Sequence, residues 1–226
     1  AYVMALIGGA INAGGFFAVA RYTSHMSGEL ARMADHLYMH EWRVAWVSAV
    51  MVLSFVAGAC HAAFTILWAK HSRFRSSYAL TLWVEAVYML LFGLLGASLA
   101  RFQLLVPITV VLMCFIMGMQ NATITKISHA RVRTTHATGM ITDIGIELGR
   151  ALCHRLWPGS GVRPDAVKLR ILWTLVGAFL TGGIVGALGY ATMGFLFSLP
   201  LAFILLGISV PALPAIKWRA RGPRGG

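Results

Sequence analysis

The chain has 226 residues, is 58% hydrophobic and carries only 12% charged residues. A soluble domain has about a quarter of its residues charged, so composition excludes an ordinary water-soluble globule. Lys and Arg outnumber Asp and Glu by 19 to 7. In a membrane protein that excess is the usual sign of basic loops on one side of the bilayer, and nucleic acid is not the expected partner.

Six apolar stretches follow one another, at 2–20, 44–69, 78–100, 104–125, 171–190 and 193–210. Each approaches or exceeds the roughly 18 residues a helix needs to cross a bilayer. Helices are expected because an open sheet leaves its backbone unsatisfied in lipid. The alternating segments of about 10 residues that mark a transmembrane barrel are missing. The expected fold class is therefore all-α: a polytopic membrane protein of six transmembrane helices, in a single domain over 1–226.

The first stretch holds Gly8, Gly9, Gly14 and Gly15, which in membranes permit close helix approach. It opens inside an apolar run without an initiator Met, so residues are expected to precede it, and no cleavable signal peptide is evident. Next comes the polar run Thr23-Ser24-His25-Met26-Ser27-Gly28, where Ser27 suits the N-cap of an amphipathic helix over 29–40. A basic loop at 70–75 leads to the third stretch, and Arg101 marks a turn into the fourth.

The fourth stretch ends in Gln120-Asn121-Ala122-Thr123. A long polar segment, 126–168, contains Thr134-Thr135-His136-Ala137-Thr138-Gly139 and a helix expected over 140–152 with Thr138 as its cap. Trp157-Pro158-Gly159-Ser160-Gly161 should end that helix. Pro211 and Pro214 stop the last stretch before a basic tail with Lys217, Arg219, Arg221 and Arg224.

The two polar runs share the pattern Thr-[Ser/Thr]-His-x-[Ser/Thr]-Gly, and each lies downstream of an Asn-Ala pair, Asn12-Ala13 and Asn121-Ala122. Phe55-Val56-Ala57-Gly58-Ala59 also resembles Phe179-Leu180-Thr181-Gly182-Gly183. The chain thus divides into repeats over 1–103 and 104–216, with the tail 217–226. Three spans in each half would make the repeats inverted, which is a transporter architecture. With six spans, one side of the membrane carries 15 Lys and Arg; the other carries four, Arg21, Arg32, Arg43 and Arg101. That bias places both termini in the cytoplasm.

Gly8-Gly9-Ala10-Ile11-Asn12-Ala13, Ser24-His25-Met26-Ser27-Gly28, Gly118-Met119-Gln120-Asn121-Ala122 and Arg133-Thr134-Thr135-His136-Ala137-Thr138-Gly139 resemble the signature segments of the YoaK family. These are small bacterial inner-membrane proteins with a domain of unknown function. The resemblance implies six spans, a multi-pass protein and the bacterial inner (cytoplasmic) membrane, and it brings no substrate. Members often have Asn after the first Ser-Gly, where this chain has Glu29.

Candidate site residues come from the repeats. Asn12, Thr23, Ser24, His25, Ser27, Gln120, Asn121, Thr134, Thr135, His136 and Thr138 form a substrate-binding set if both hexapeptides dip into the membrane. Helix N-termini favour anions, and Arg131 and Arg133 lie close in sequence. The plain alternatives are surface turns for the hydroxyls and helix-to-helix bonding for the amides.

His61 and Glu85 lie at similar depth in the second and third stretches and form a candidate proton-coupling pair. Asp143 and Glu147 read as a solvated helix face, with Glu147 and Arg150 at ion-pair spacing. His25, His129, His136 and His154 are scattered, so no metal site is expected. Cys60, Cys114 and Cys153 suggest neither disulfides nor zinc. No cofactor or enzyme motif appears.

The reading is a small transporter or permease for a small, anionic solute, not an enzyme. The alternative is a non-catalytic accessory or structural subunit of a larger membrane complex. Expected partners are the lipid bilayer and a homodimer or larger membrane assembly.

Overall fold

Long apolar runs interrupted only at their ends become helices, since in lipid every backbone N–H and C=O must find its partner within the segment. A computed structural model of the chain describes residues 2–19, 22–72, 74, 76–99, 106–127 and 137–212. Eight α-helices follow: α1 (Tyr2–Val19), α2 (Met26–Tyr38), α3 (Trp42–His71), α4 (Ser77–Leu99), α5 (Val106–Ile127), α6 (Ala137–Leu156), α7 (Ala166–Met193) and α8 (Ser198–Ser209). Among the described residues there is no strand. Pro107 and Pro200 fall in the first turns of α5 and α8, where the missing N–H has no intrahelical bond to lose.

Four helical runs are long and apolar enough to cross a membrane: Trp42–His71, Ser77–Ala97, Ile108–Lys126 and Ala166–Ser209. The chain is a helical membrane protein. On α3 the exposed Trp46 and Trp68 stand 22 residues apart, about 33 Å along the helix. That matches the roughly 30 Å hydrocarbon core and the habit of Trp to sit at its two edges.

The six expected stretches differ from these runs in two places. The apolar part of α1, Tyr2–Phe16, is shorter than the other runs. The last run bends at Gly194, whose φ of 57° suits glycine, into a 28-residue α7 and a 12-residue α8. α7 begins five residues earlier than its apolar stretch because Asp165 caps it, accepting from the backbone N–H of Lys168. At 1.5 Å per residue α8 is only about 18 Å long.

Helix starts also differ from expectation. Ser27 and Thr138 lie inside the first turns of α2 and α6 rather than capping them. The N-cap of α2 is His25, which makes no side-chain capping bond. A Cβ on Gly28 would run into the His25 ring. The His-x-x-Gly spacing therefore lets an imidazole lie over the first turn of the helix.

Packing is organised by two close crossings. α1 packs on α7, and α3 on α5; α4 packs on α8, while α2 and α6 lie on α3 and α7. In the first crossing a Cβ on Gly9 would strike the Phe179 carbonyl, and one on Gly182 would strike that of Leu6. In the second, Gly118 opposes the Phe55 carbonyl and Gly58 that of Phe115. Each helix thus offers a glycine to the other's backbone, three residues after a carbonyl that receives one. Between the crossings, Met4, Ile7, Met89, Met113, Ile116 and Leu205 close an apolar core from α1, α4, α5 and α8.

Overpacked side chains cost about 1–3 kcal/mol where neighbours can yield, and a backbone carbonyl yields less than a side chain. Gly58→Val and Gly182→Val should each lower the melting temperature in detergent sharply or abolish the monodisperse folded peak. Gly177→Ala, where a Cβ meets nothing within 4 Å among the described residues, should leave both unchanged. Equal melting of all three variants would show that the crossings do not carry the fold.

Candidate functional site

The polar residues after α1 do not extend away from it. Ser24 Oγ donates to Asn12 Oδ1 at 2.7 Å, and Asn12 lies seven residues, about 10 Å, before the end of α1. The segment therefore folds back along the helix it has just left. α2 begins from there, at Met26.

A cavity of about 370 Å³ lies at this point, within the usual size of small-ligand sites. Asn12, Tyr22, Ser24, His25, Met26 and Ser27 form one wall, and Ala137 and Thr138, in the first turn of α6, form another. Phe55 and Phe179 complete it. These two Phe carry the carbonyls that the crossing glycines approach, so the cavity sits where both crossings meet. Thr138 from the second hexapeptide thus shares the cavity with four residues of the first, Ser24, His25, Met26 and Ser27.

Among the described residues the lining is rich in donors and contains no acidic side chain. Ser24 uses its proton on Asn12 Oδ1, which leaves the Asn12 amide N–H₂ as a donor. First-turn backbone N–H groups lack intrahelical partners and give a helix start a partial positive charge. An acceptor, in particular an anion, matches this wall.

The other sequence candidates separate from the cavity. Thr23 is fully buried, its hydroxyl without a hydrogen-bond partner among the described residues, and it does not line the cavity. Gln120 is buried in α5 and its Nε2 donates to the Met4 carbonyl at 3.4 Å, a long bond tying α5 to α1. Asn121 is off the wall, and its backbone carbonyl accepts from Thr125 Oγ1. Thr134, Thr135 and His136, with Arg131 and Arg133, lie outside the described residues.

Sequence reading missed Tyr22, Phe55 and Phe179 as lining. The match of 55–59 with 179–183 was a sufficient signal for the two Phe.

His61 and Glu85 are not hydrogen-bonded to each other. Both Glu85 oxygens are buried without a partner among the described residues, while the His61 ring packs on Tyr88 and Phe115. Depth along two helices does not fix which way their side chains point, and here it brings the two to no hydrogen bond. Tyr78 OH donates to the Lys126 carbonyl at 3.2 Å, which sets the register of antiparallel α4 and α5. Glu85 is seven residues beyond Tyr78 and Gln120 six before Lys126, about 9–11 Å from that bond in each case. Gln120, whose Oε1 is also unpartnered among the described residues, is therefore a polar group level with Glu85.

α6 is held on α7 by the buried apolar contacts of Met140 and Ile144 with Leu172 and Leu175 and by Glu147. That residue was expected on a solvated face and is instead fully covered. Its Oε2 accepts the backbone N–H of Asp165 at 3.0 Å, and its Oε1 accepts from Arg150 Nη1 at 2.9 Å. Lys168 Nζ stands 3.5 Å from Glu147 and 3.6 Å from Asp143. One carboxylate thus joins α6 to the capped start of α7. The Asp165 N–H first, then the Arg150 and Lys168 charges, hold the Glu147 carboxyl below its ordinary value of 4.5 against the opposing effect of burial.

A depressed carboxylate pKa adds stability that is present above the unfolded value and is lost as pH falls through the folded one. The melting temperature of the native protein should exceed that of Glu147→Gln at pH 7. The gap should begin to narrow as pH drops below about 4.5, the ordinary value, and close only once pH passes below the lower folded-state value. A gap that persists in acid would refute an ionised Glu147 as the tether.

No curated protein and no solved structure matches this chain. A family model described as "Protein of unknown function (DUF1275)" matches residues 1–210, a span that takes in both hexapeptides, all eight helices and the cavity between them. The chain belongs to that family.

Proposed function

We propose that this protein is a small membrane transporter that binds a small anionic solute in the cavity between its two hexapeptides. The observation that carries the reading is the lining itself: Ser24, His25 and Ser27 share one cavity with Thr138 and with the matched pair Phe55 and Phe179. A capped surface turn would not bring two distant copies of one motif to a single cavity. The reading takes the halves as inverted repeats of three spans, in which α1–α7 and α5–α3 are equivalent crossings. Broken helices that start near the membrane middle and face a substrate are the known device of such folds.

In this reading α1 and α8 complete the six spans, thinning the bilayer or burying their short ends against neighbours. Both termini lie in the cytoplasm, and the YoaK resemblance points to a bacterial inner membrane. The chemistry needed is binding and passage, so the protein is not an enzyme and needs no cofactor or metal. Glu85 is the proton-coupling group, working with Gln120 at its own depth instead of with His61. Gly-rich helix faces suit a homodimer or a larger membrane assembly, and the lipid bilayer is its other partner.

Uptake into proteoliposomes, measured over formate, acetate, nitrate and phosphate with and without a pH gradient, tests the proposal. At least one anion should enter faster than in protein-free vesicles. The double variant Asn12→Ala, Ser24→Ala removes a donor and should slow entry about tenfold, the worth of roughly one good hydrogen bond. Glu85→Gln should abolish only the component driven by the pH gradient. If no anion enters above background, transport is wrong and a non-catalytic accessory subunit becomes the better reading.

A further inference from the structure

The polar cavity is not closed toward the lipid. A second cavity of about 450 Å³ lies along the α1–α7 crossing, and Asn12, Tyr22 and Phe179 line both. Its other walls are apolar, formed by Phe16, Leu180 and Ile184 together with small residues such as Gly183. Leu180 and Ile184 are more than half exposed on a helical run apolar enough to span a membrane, so this crevice opens to acyl chains. Phe16 and Tyr22 stack with ring centroids 5.3 Å apart on the α1 side.

We infer that the ligand is a single-chain amphiphile with an anionic head, entering sideways from the bilayer. This rests on the transport reading's cavity and names the class of its ligand. The head occupies the donor-lined wall of Asn12, Ser27 and Thr138, and the chain lies in the α1–α7 crevice. A small hydrophilic anion would use the first cavity and leave the second without a purpose. An ordinary annular lipid would use the crevice and leave the donors unmet. Only a molecule with both parts fits two cavities that share three residues.

Gly183 provides the decisive variant. A Cβ there lies 3.9 Å from the Gly9 carbonyl, ordinary contact, so Gly183→Leu starts without a clash and extends its side chain into the crevice. Ile184→Trp, on the lipid side of the same wall, is a second variant should the first fail to fold. The probes are palmitate carrying a diazirine on its chain and the matching palmityl alcohol, photolysed in proteoliposomes and mapped by peptide mass spectrometry.

The palmitate probe should label Phe16, Leu180 and Ile184 about tenfold more than Leu53 and Phe64, exposed residues of α3, a preference worth about 1.4 kcal/mol. The alcohol should show no such excess. Either variant should remove the excess at Phe16 and Leu180 while leaving Leu53 and Phe64 unchanged.

Uniform labelling, or an excess that survives both variants, overturns the amphiphile. If soluble anions are still taken up in that case, the transport reading stands without it. Crevice-specific labelling in a protein that moves no anion does the reverse: it supports the ligand and removes the transport.

Discussion

Everything in this protein depends on two places where helix backbones touch. In lipid there is little hydrophobic gain from pressing one apolar helix on another, so association rests on close packing and on the few polar bonds available. Gly9 and Gly182 bring α1 onto α7, and Gly58 and Gly118 bring α3 onto α5, each glycine facing a carbonyl of the opposite helix. Such contacts leave no room for adjustment. They fix how α1 turns against α7 and α3 against α5, and with that the direction of the side chains beside each crossing. Phe55 and Phe179 stand beside these contacts, so the same geometry that closes the helices also sets two walls of the cavity.

Much of this was legible before any coordinates. Apolar length alone identified a helical membrane protein, and the recurrence of Thr-[Ser/Thr]-His-x-[Ser/Thr]-Gly marked the segments that meet at the cavity. The match between 55–59 and 179–183 held the crossing glycines in plain view. What hydropathy could not show was where helices truly begin. Lys168 and Arg170 look like loop residues, yet α7 runs through them because Asp165 caps the turn and Glu147 receives its backbone N–H.

Cap preference misled for a related reason. Ser27 is the better capping residue by chemistry, but the space left by Gly28 lets His25 take the position. Depth alone does not make His61 and Glu85 a hydrogen-bonded pair: the His61 ring packs on Tyr88 and Phe115, and the Glu85 oxygens have no partner among the described residues. Two residues at one depth share a face only if the helix angles agree, and linear distance carries no angle.

The two helices that open onto the cavity are held by different chemistry. α2 is anchored on α3 by Ser48, whose hydroxyl donates to Glu29 at 2.8 Å with both residues buried. α6 is anchored on α7 by Glu147 and its cations, Arg150 and Lys168, both partly exposed to solvent. The first anchor is one hydrogen bond inside the protein; the second is a charge cluster at its edge. Buried bonds respond little to salt, whereas partly exposed ion pairs are screened. The wall carrying Thr138 is therefore tied to its neighbour partly by groups that face water, on top of the apolar contacts of Met140 and Ile144 with Leu172 and Leu175, and the wall carrying Ser24 and Ser27 is tied by a bond wholly inside the protein.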